Sequence, residues 1–200
     1  GIYNAIADAI ECDKYDNMPD VKGKVKPKFH QANQNKLYLL RTELINAGQN
    51  YGEGNKQEAF NNFALYVESA KANLFKEIAA AKAPDQYLGE VARVAAVYAF
   101  QNKDMDKANK YVDVALTDTA SYKQALDLKI YLASQSLKTK SDSIQFANTL
   151  QGLYDKDPKN DMVFSQLAAV YQAVGKTAES AKLIADRLSA DPNNYAALAL

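Results

Sequence analysis

Asp157-Pro158-Lys159-Asn160 and Asp191-Pro192-Asn193-Asn194 are two copies of one four-residue pattern, and they start 34 residues apart, at positions 157 and 191. Between them, large apolar, small and aromatic residues fall at the three- and four-residue spacing of a helix face: Phe164, Leu167, Ala168 and Tyr171. Gly175 follows, where a helix typically ends. A period of this length predicts one pair of helices per repeat and an all-α fold.

The composition is that of a chain able to bury a core, because 48% of its 200 residues are hydrophobic. A repeat array of this length predicts one continuous domain over residues 1–200. Lys plus Arg and Asp plus Glu both total 24, so the net charge is zero. The chain therefore carries no overall field for nucleic acid, and we expect no nucleic-acid partner. No apolar run reaches the roughly 18 residues expected of a membrane span.

Helical periodicity divides the rest of the chain into segments. They are an irregular helix with a lysine-rich loop over 1–30, helix hairpins over 33–70, 84–118, 120–156 and 160–190, and the start of an incomplete repeat over 193–200. Leu37, Leu40, Leu44 and Tyr51 indicate a single long helix, and Asn55 is typical of a residue that begins the next one.

N-terminal caps of the later helices are predicted from the same preference for residues with short polar side chains. Ser141 is the expected N-terminal cap of a helix in the third hairpin, and Asn160 or Asp161 that of the helix carrying Phe164. Ser180 or Ala181 is the small residue expected where the two helices of the last pair approach most closely.

The 34-residue pattern over 160–194 resembles a tetratricopeptide-repeat protein, with weaker similarity over 37–70 and 87–118. The resemblance implies a right-handed superhelix of antiparallel hairpins and a non-enzymatic scaffold that binds a protein or peptide on its concave face. Arrays rich in tyrosine, asparagine and lysine also resemble exported envelope proteins of Gram-negative gut bacteria. This implies a periplasmic or envelope location, with the cytoplasm as the alternative. The rival function is a component of an envelope nutrient-uptake complex that captures a ligand or assists assembly.

The resemblance places the concave face on the first helix of each pair. The residues offset from the packing stripe of those helices are the candidate peptide-binding groove: Tyr38, Thr42, Gln49, Tyr131, Gln135, Lys138, Ser165 and Gln172. Arg93 joins this set if its helix is rotated by one residue. Tyrosine and amide side chains suit an extended peptide or a carbohydrate better than a phosphate group.

Residues for catalysis or metal binding are few. His30 is the only histidine and Cys12 the only cysteine, so neither an imidazole pair nor a multi-cysteine site is available. We therefore expect no catalytic site, no metal and no cofactor, and we expect His30 to lie on the surface.

Two segments of the chain leave alternative interpretations open. Lys22, Lys24, Lys26 and Lys28 could bind phosphate or a lipid head group, but residues 1–30 contain five acids and five lysines, which favours a solvated loop. Residues 195–200 begin a helix without a partner, so we expect the chain to be a fragment that continues into a further repeat. Self-association through this uncapped end is a further expectation.

Overall fold

The computed structural model describes residues 1–135 and 137–200. Helix accounts for 74% of the chain and the described residues contain no strand, so the prediction of an all-α fold is confirmed. In the described part of the chain, no helix is both long enough and apolar enough to cross a bilayer. Contacts between residues group the chain into two compact units, Gly1–Lys129 and Ile130–Leu200, and the division falls inside one helix.

The first unit consists of α-helices with two short 3₁₀ segments, Leu39–Thr42 and Gly52–Asn55. Its helices are α1 (Ile2–Asp16), α2 (His30–Leu37), α3 (Glu43–Tyr51), α4 (Lys56–Ser69), α5 (Asn73–Ala80), α6 (Leu88–Gln101), α7 (Met105–Ala115) and the first part of α8 (Tyr122–Ser134). Helix α4 packs between α3 and α6, and α6 packs on α7. Helices α1, α2 and α5 pack on one another at the other side of the unit.

The second unit begins within α8. Its further helices are α9 (Lys140–Lys156), α10 (Asp161–Ala173), α11 (Thr177–Ala190) and α12 (Tyr195–Leu198). Helix α10 packs on both α9 and α11, and its Phe164, Leu167 and Ala168 are fully buried. The stripe read from the sequence is therefore the core of this unit.

Small residues allow the helices to approach closely. A side chain at Gly48 on α3 would place its Cβ 2.7 Å from the ring of Phe63 on α4, so only hydrogen fits there. On α11, Ser180 is buried and its hydroxyl donates to the Ala168 carbonyl of α10 at 3.1 Å. Ser180, rather than the exposed Ala181, is thus the close-contact residue of the last pair.

The turns after α6 and α10 share one geometry. After α10, the amide of Lys176 donates to the Tyr171 carbonyl, and Gly175 has φ +83°. After α6, the amide of Asp104 donates to the Ala99 carbonyl, and Lys103 has φ +62°. The left-handed conformation favours glycine, so only the first of these turns could be recognised from the sequence.

Side-chain caps begin several helices. Asn55 and Asn160 accept hydrogen bonds from the amides of Glu58 and Val163, which confirms both as N-terminal caps. The expected cap at Ser141 is wrong, because Thr139 and Asp142 form a reciprocal capping box and α9 begins before Ser141. Thr139 is favoured over Ser141 as the cap because Asp142, three residues after Thr139, carries an acceptor side chain that completes the capping box.

The long helix expected over 37–51 is wrong. A 3₁₀ segment over Leu39–Thr42 separates α2 from α3, and it turns Leu39 and Leu40 outward, where they are 73% and 44% exposed. Arg41 is buried in their place, with 4% exposure. A change of helix type shifts the residues that face the core, and the α-helical period no longer applies across it.

The expectation that His30 lies on the surface is also wrong. Its side chain is only 16% exposed, and Nδ1 lies 2.5 Å from Oδ1 of the buried Asp13. Asn17 and Asn73 also donate to the Asp13 carboxylate, at 3.0 and 3.1 Å. This polar cluster joins α1, the start of α2 and α5. His30 and Asn73 lie 17 and 60 residues from Asp13 in the sequence, so no local pattern could predict the cluster.

The glycines at 48 and 152 provide a matched test of close packing. We expect Gly48→Ala to destabilise the protein, because the new methyl group must displace the Phe63 ring. At Gly152, inside α9, a Cβ meets no atom within 4 Å, so alanine should stabilise by about 0.5–1 kcal/mol through helix propensity. Urea denaturation measures both changes, and an equal response of the two variants would contradict the assignment of Gly48 as a contact point.

Candidate functional site

An open groove of about 680 Å³ lies between α3 and α6 in the first unit. Its lining residues are Thr42, Ile45, Asn46, Gln49, Phe63, Tyr87, Glu90, Val91, Val94 and Tyr98. On each wall these positions recur at i, i+3, i+4 and i+7, so each wall is one face of a helix. The volume and the mainly apolar and aromatic lining are those of a ligand site.

The floor of the groove is apolar and closely packed. Phe63 of α4 is 3% exposed and stacks on the ring of Tyr98, with ring centroids 5.6 Å apart and an angle of 28° between the planes. Val91 is buried beside them. The stacked rings and Val91 therefore form an apolar floor on which apolar groups can pack.

The α3 wall carries polar side chains along its rim. Thr42 donates to the Leu39 carbonyl at 3.0 Å, and Asn46 donates to Glu43 at 3.1 Å. The exposed carboxamide of Gln49 has no hydrogen-bond partner among the described residues. An amide offers a donor and an acceptor together, which matches the two groups that a peptide backbone presents.

The α6 wall carries one carboxylate, that of Glu90. Arg93 binds it through Nε at 2.8 Å and Nη2 at 2.6 Å. The pair lies on the surface of α6 and neutralises the rim locally. The groove therefore combines an apolar floor, an amide rim and little free charge.

A buried arginine, Arg41, directly precedes the lining residue Thr42. Arg41 donates through Nε to the Ser69 hydroxyl at 2.7 Å, and through Nη2 to the Tyr66 carbonyl at 3.1 Å and the Asp85 carboxylate at 3.4 Å. The Tyr66 ring lies 4.8 Å from the guanidinium carbon. Burial of a guanidinium is costly unless partners satisfy it, and here α4 and the loop before α6 supply them.

Asp85 connects the arginine to the α6 wall. Its carboxylate accepts from the Tyr66 hydroxyl at 2.7 Å and from the backbone amide of Tyr87 at 3.1 Å. Burial, followed by the hydrogen bond to the Asp85 carboxylate, raises the pKa of Tyr66 far above its ordinary value, and the nearby Arg41 opposes this only in part. A smaller cleft of about 330 Å³ beside this cluster shares Thr42 and Tyr87 with the groove.

Two of the four residues proposed from the sequence in this unit line the groove, namely Thr42 and Gln49. Tyr38 lines the adjoining cleft, where its ring lies 6.0 Å from that of Phe75. Arg93 is not among the lining residues, and its contact with the groove is the ion pair with the lining residue Glu90.

The residues proposed in the second unit lie on a different set of elements. Tyr131 is on α8 and 48% exposed, and Gln135 and Lys138 are exposed beyond the end of that helix at Ser134. The expected helical stripe through Lys138 is therefore wrong, because its backbone amide already belongs to the turn that Asp142 organises. Ser165 is half-buried and Gln172 exposed, both on α10.

Most of the α6 wall was not recognised as groove-lining from the sequence. Tyr87, Val91, Val94 and Tyr98 follow a regular helical spacing, which signals a helix face but not what covers it. An apolar stripe can face either the core or a groove. Val91 is buried, whereas Val94 and Tyr98 are only half-buried and border the open space.

No family model, curated protein or solved structure matches this chain. Within residues 1–135 and 137–200, no three His, Cys, Asp or Glu side chains form a group that could hold a metal ion. The function is therefore argued from the geometry of the groove.

Arg41 and Arg93 provide a matched test of the contacts that the buried arginine makes. We expect Arg41→Ala to cost about 3–5 kcal/mol of unfolding free energy, because it breaks the buried ion pair with Asp85, removes the hydrogen bonds to Ser69 and Tyr66, and empties a packed site. Arg93→Ala removes a surface pair three residues apart and should cost less than about 1 kcal/mol. Chemical denaturation of both variants measures the difference. Losses of similar size would show that Arg41 does not hold the two walls.

Tyr66 should make stability fall at alkaline pH. Its folded pKa is raised, so its contribution is fully present below the unfolded value of about 10 and is lost as the pH rises through the folded value. We expect Tyr66→Phe to show a shallower decline in unfolding free energy above pH of about 10 than the unchanged protein. Tyr195→Phe, at a side chain that is 86% exposed, should leave the decline unchanged.

Proposed function

We propose that this protein is a non-enzymatic, tetratricopeptide-like scaffold that binds an extended segment of a partner protein in the groove between α3 and α6. In this proposal the helix hairpins belong to a right-handed superhelix, as the 34-residue spacing and the resemblance predict. Packed helices with small contact residues, seen at Gly48 and Ser180, support an array of this kind.

The observation that carries the proposal is the pairing of an apolar aromatic floor with an amide rim in a groove of about 680 Å³. An extended peptide directs alternate side chains to opposite sides, so one set can pack on Phe63 and Tyr98. Its backbone groups then lie level with the rim, where Asn46 and Gln49 can hydrogen-bond them. Recognition of this kind depends on backbone hydrogen bonds together with a few anchoring side chains.

The lining supports binding rather than catalysis. Catalysis of hydrolysis or group transfer needs a nucleophile or base positioned by a second group. Glu90 is the carboxylate among the lining residues, and its two oxygens are bound by Arg93. Held in this pair, it is better suited to shaping the rim than to accepting a proton.

The alternative is a ligand-capturing or assembly component of a bacterial envelope nutrient-uptake complex. Tyr87, which is 49% exposed, and Tyr98 favour it, because aromatic faces beside amide groups also bind sugars. We propose a periplasmic or envelope location for the protein under either of the two functions.

Self-association through Tyr195, Leu198 and Leu200, which are 86%, 63% and 49% exposed, stays a prediction.

Parallel screening separates the two functions. The protein is probed on a random peptide library and on a glycan array, and each hit is then measured by calorimetry. We expect peptides with apolar residues at alternate positions to bind. Selective binding of glycans, with no peptide enriched, would establish the alternative function instead.

The groove prediction concerns the two amides of α3. We expect Asn46→Ala/Gln49→Ala to weaken a selected peptide at least about tenfold, because each lost hydrogen bond costs roughly 0.5–1.5 kcal/mol. Both positions are exposed on a helix, so alanine should not lower the melting temperature. Calorimetric titration gives the affinities.

The matched control is Gln57→Ala/Asn61→Ala, which removes an amide pair on α4 that does not line the groove. It should bind as the unchanged protein does. A third variant, with Tyr131, Gln135 and Lys138 all replaced by alanine, tests the other surface proposed from the sequence. If that variant lost binding and the α3 variant kept it, the groove would be assigned to the wrong unit.

A further inference from the structure

The loop that joins α1 to α2 carries a strong local charge in a chain whose net charge is zero. Residues 17–29 contain four lysines and one aspartate, and lysines alternate with other residues from Lys22 to Lys28. Every residue from Met18 to Phe29 is exposed. The alternation extends along the chain without forming a helix or strand, so its side chains are presented over a broad surface.

The carboxylates nearest to these lysines are bound to the backbone. Asp16 accepts from the amides of Lys28, Phe29 and His30 at 2.9, 2.8 and 3.1 Å, which ties the end of the loop to the end of α1. The hydrogen bond from the Lys28 amide is the main reason that the pKa of Asp16 lies below its ordinary value.

Asp20 organises the turn within the loop. Its carboxylate accepts from the amides of Lys22 and Lys24 at 2.8 and 2.9 Å, and Gly23 adopts φ +73°. Backbone hydrogen bonds between Asp20 and Gly23 and between Asp20 and Lys24 complete the turn. The loop therefore has a defined shape that does not rely on its lysine side chains.

The lysine ammonium groups are consequently unengaged. None of Lys22, Lys24, Lys26 and Lys28 forms an ion pair with a residue that the structure describes, whereas Glu11 pairs with Lys14 on α1. The equal count of acids and lysines over residues 1–30 favoured a neutralised loop, but four of the five acids bind groups other than these lysine side chains: Glu11, Asp13, Asp16 and Asp20. Four cationic groups face solvent on one loop.

Apolar side chains are exposed beside them. Val21, at the tip of the turn, is 103% exposed, and Met18, Val25 and Phe29 are 56%, 50% and 55% exposed. Tight turns favour glycine, asparagine or aspartate, so turn geometry does not account for a valine at the tip. The side chain of Val21 buries no apolar surface within the fold, so its burial in an apolar environment would be favourable.

We propose that the loop 17–29 docks the protein on an anionic lipid surface, with its lysines at the head groups and Val21 and neighbouring apolar side chains at the acyl boundary. Lysines attract an anionic leaflet additively, and apolar side chains then anchor the contact. The site is separate from the groove between α3 and α6, and it would bring that groove to a membrane surface.

The side-chain chemistry favours a lipid surface over an acidic protein or a nucleic acid. Lysine is a hydrated point charge on a flexible stem, and the loop lacks the arginine fork that suits fixed carboxylates and phosphates. The apolar side chains here are spread along the loop, and each is at least 50% exposed. A fluid surface accepts scattered charges and scattered apolar groups without requiring a fitted shape.

The test is vesicle co-sedimentation with the 200-residue chain. One set of vesicles is phosphatidylcholine alone, and the other contains about one third phosphatidylglycerol. We expect binding to the anionic vesicles only, and we expect it to weaken as salt shortens the Debye length from about 10 Å at 0.1 M to about 3 Å at 1 M. Equal binding to both vesicles, or to neither, would overturn the proposal.

Two variants and one control locate the contact. Replacing Lys22, Lys24, Lys26 and Lys28 by glutamine should weaken partitioning about fivefold for each lysine. A control with the exposed lysines 71, 76, 82 and 123 replaced by glutamine has the same net charge and should bind as the unchanged protein does. Equal losses in both would show a general charge effect and refute the loop assignment.

The apolar contribution is tested by Val21→Asn, which keeps the charge and suits a turn. We expect about tenfold weaker partitioning, since burying a valine side chain stabilises by about 1.5 kcal/mol or more. Unchanged partitioning would remove the acyl contact from the proposal.

Tight binding of polyglutamate or single-stranded RNA, with no vesicle binding, would assign the loop to a protein or nucleic-acid partner instead. Circular dichroism melting of each variant verifies that the fold is intact.

Discussion

The first unit depends on the satisfaction of one buried guanidinium. Arg41 is almost inaccessible to solvent, and the cost of removing its charge from water is offset only where Ser69, the Tyr66 carbonyl and Asp85 meet it together. These partners come from α4 and from the loop before α6, while the arginine precedes α3. Because Thr42 follows Arg41 and Tyr87 donates to Asp85, the same interaction positions the first residue of each groove wall.

Close helix contact explains the rest of the groove. At Gly48 the ring of Phe63 approaches the α3 backbone more closely than any side chain would permit, and the ring then stacks on Tyr98 of α6. The helices α3, α4 and α6 are thus joined by one glycine and two aromatic rings. A closely packed interior has low compressibility, so we expect a groove built on it to keep its shape before a ligand arrives. A preformed site reduces the entropic cost of binding.

Charge in this protein is arranged locally. The net charge is zero, yet acids are repeatedly bound to backbone amides, as Asp16 and Asp20 are in the α1–α2 loop and Asp142 is at the start of α9. Carboxylates engaged in this way stabilise turns and helix ends and leave nearby lysines without ion pairs. The proposed groove and the proposed lipid-binding loop consequently use different chemistry. The groove is apolar with amides, and the loop is cationic with exposed aliphatic groups.

The sequence by itself determined the all-α fold, the buried stripe of α10 with its closing glycine, and the caps Asn55 and Asn160, because these depend on residues close together in the chain. Thr42 and Gln49, which were proposed from the concave face that the resemblance implies, also line the groove. Only the tertiary structure decided that Arg41 replaces Leu40 in the core, that His30 pairs with Asp13, and that α6 supplies the second groove wall. Those outcomes depend on burial and on partners distant in sequence, and a local period reports neither.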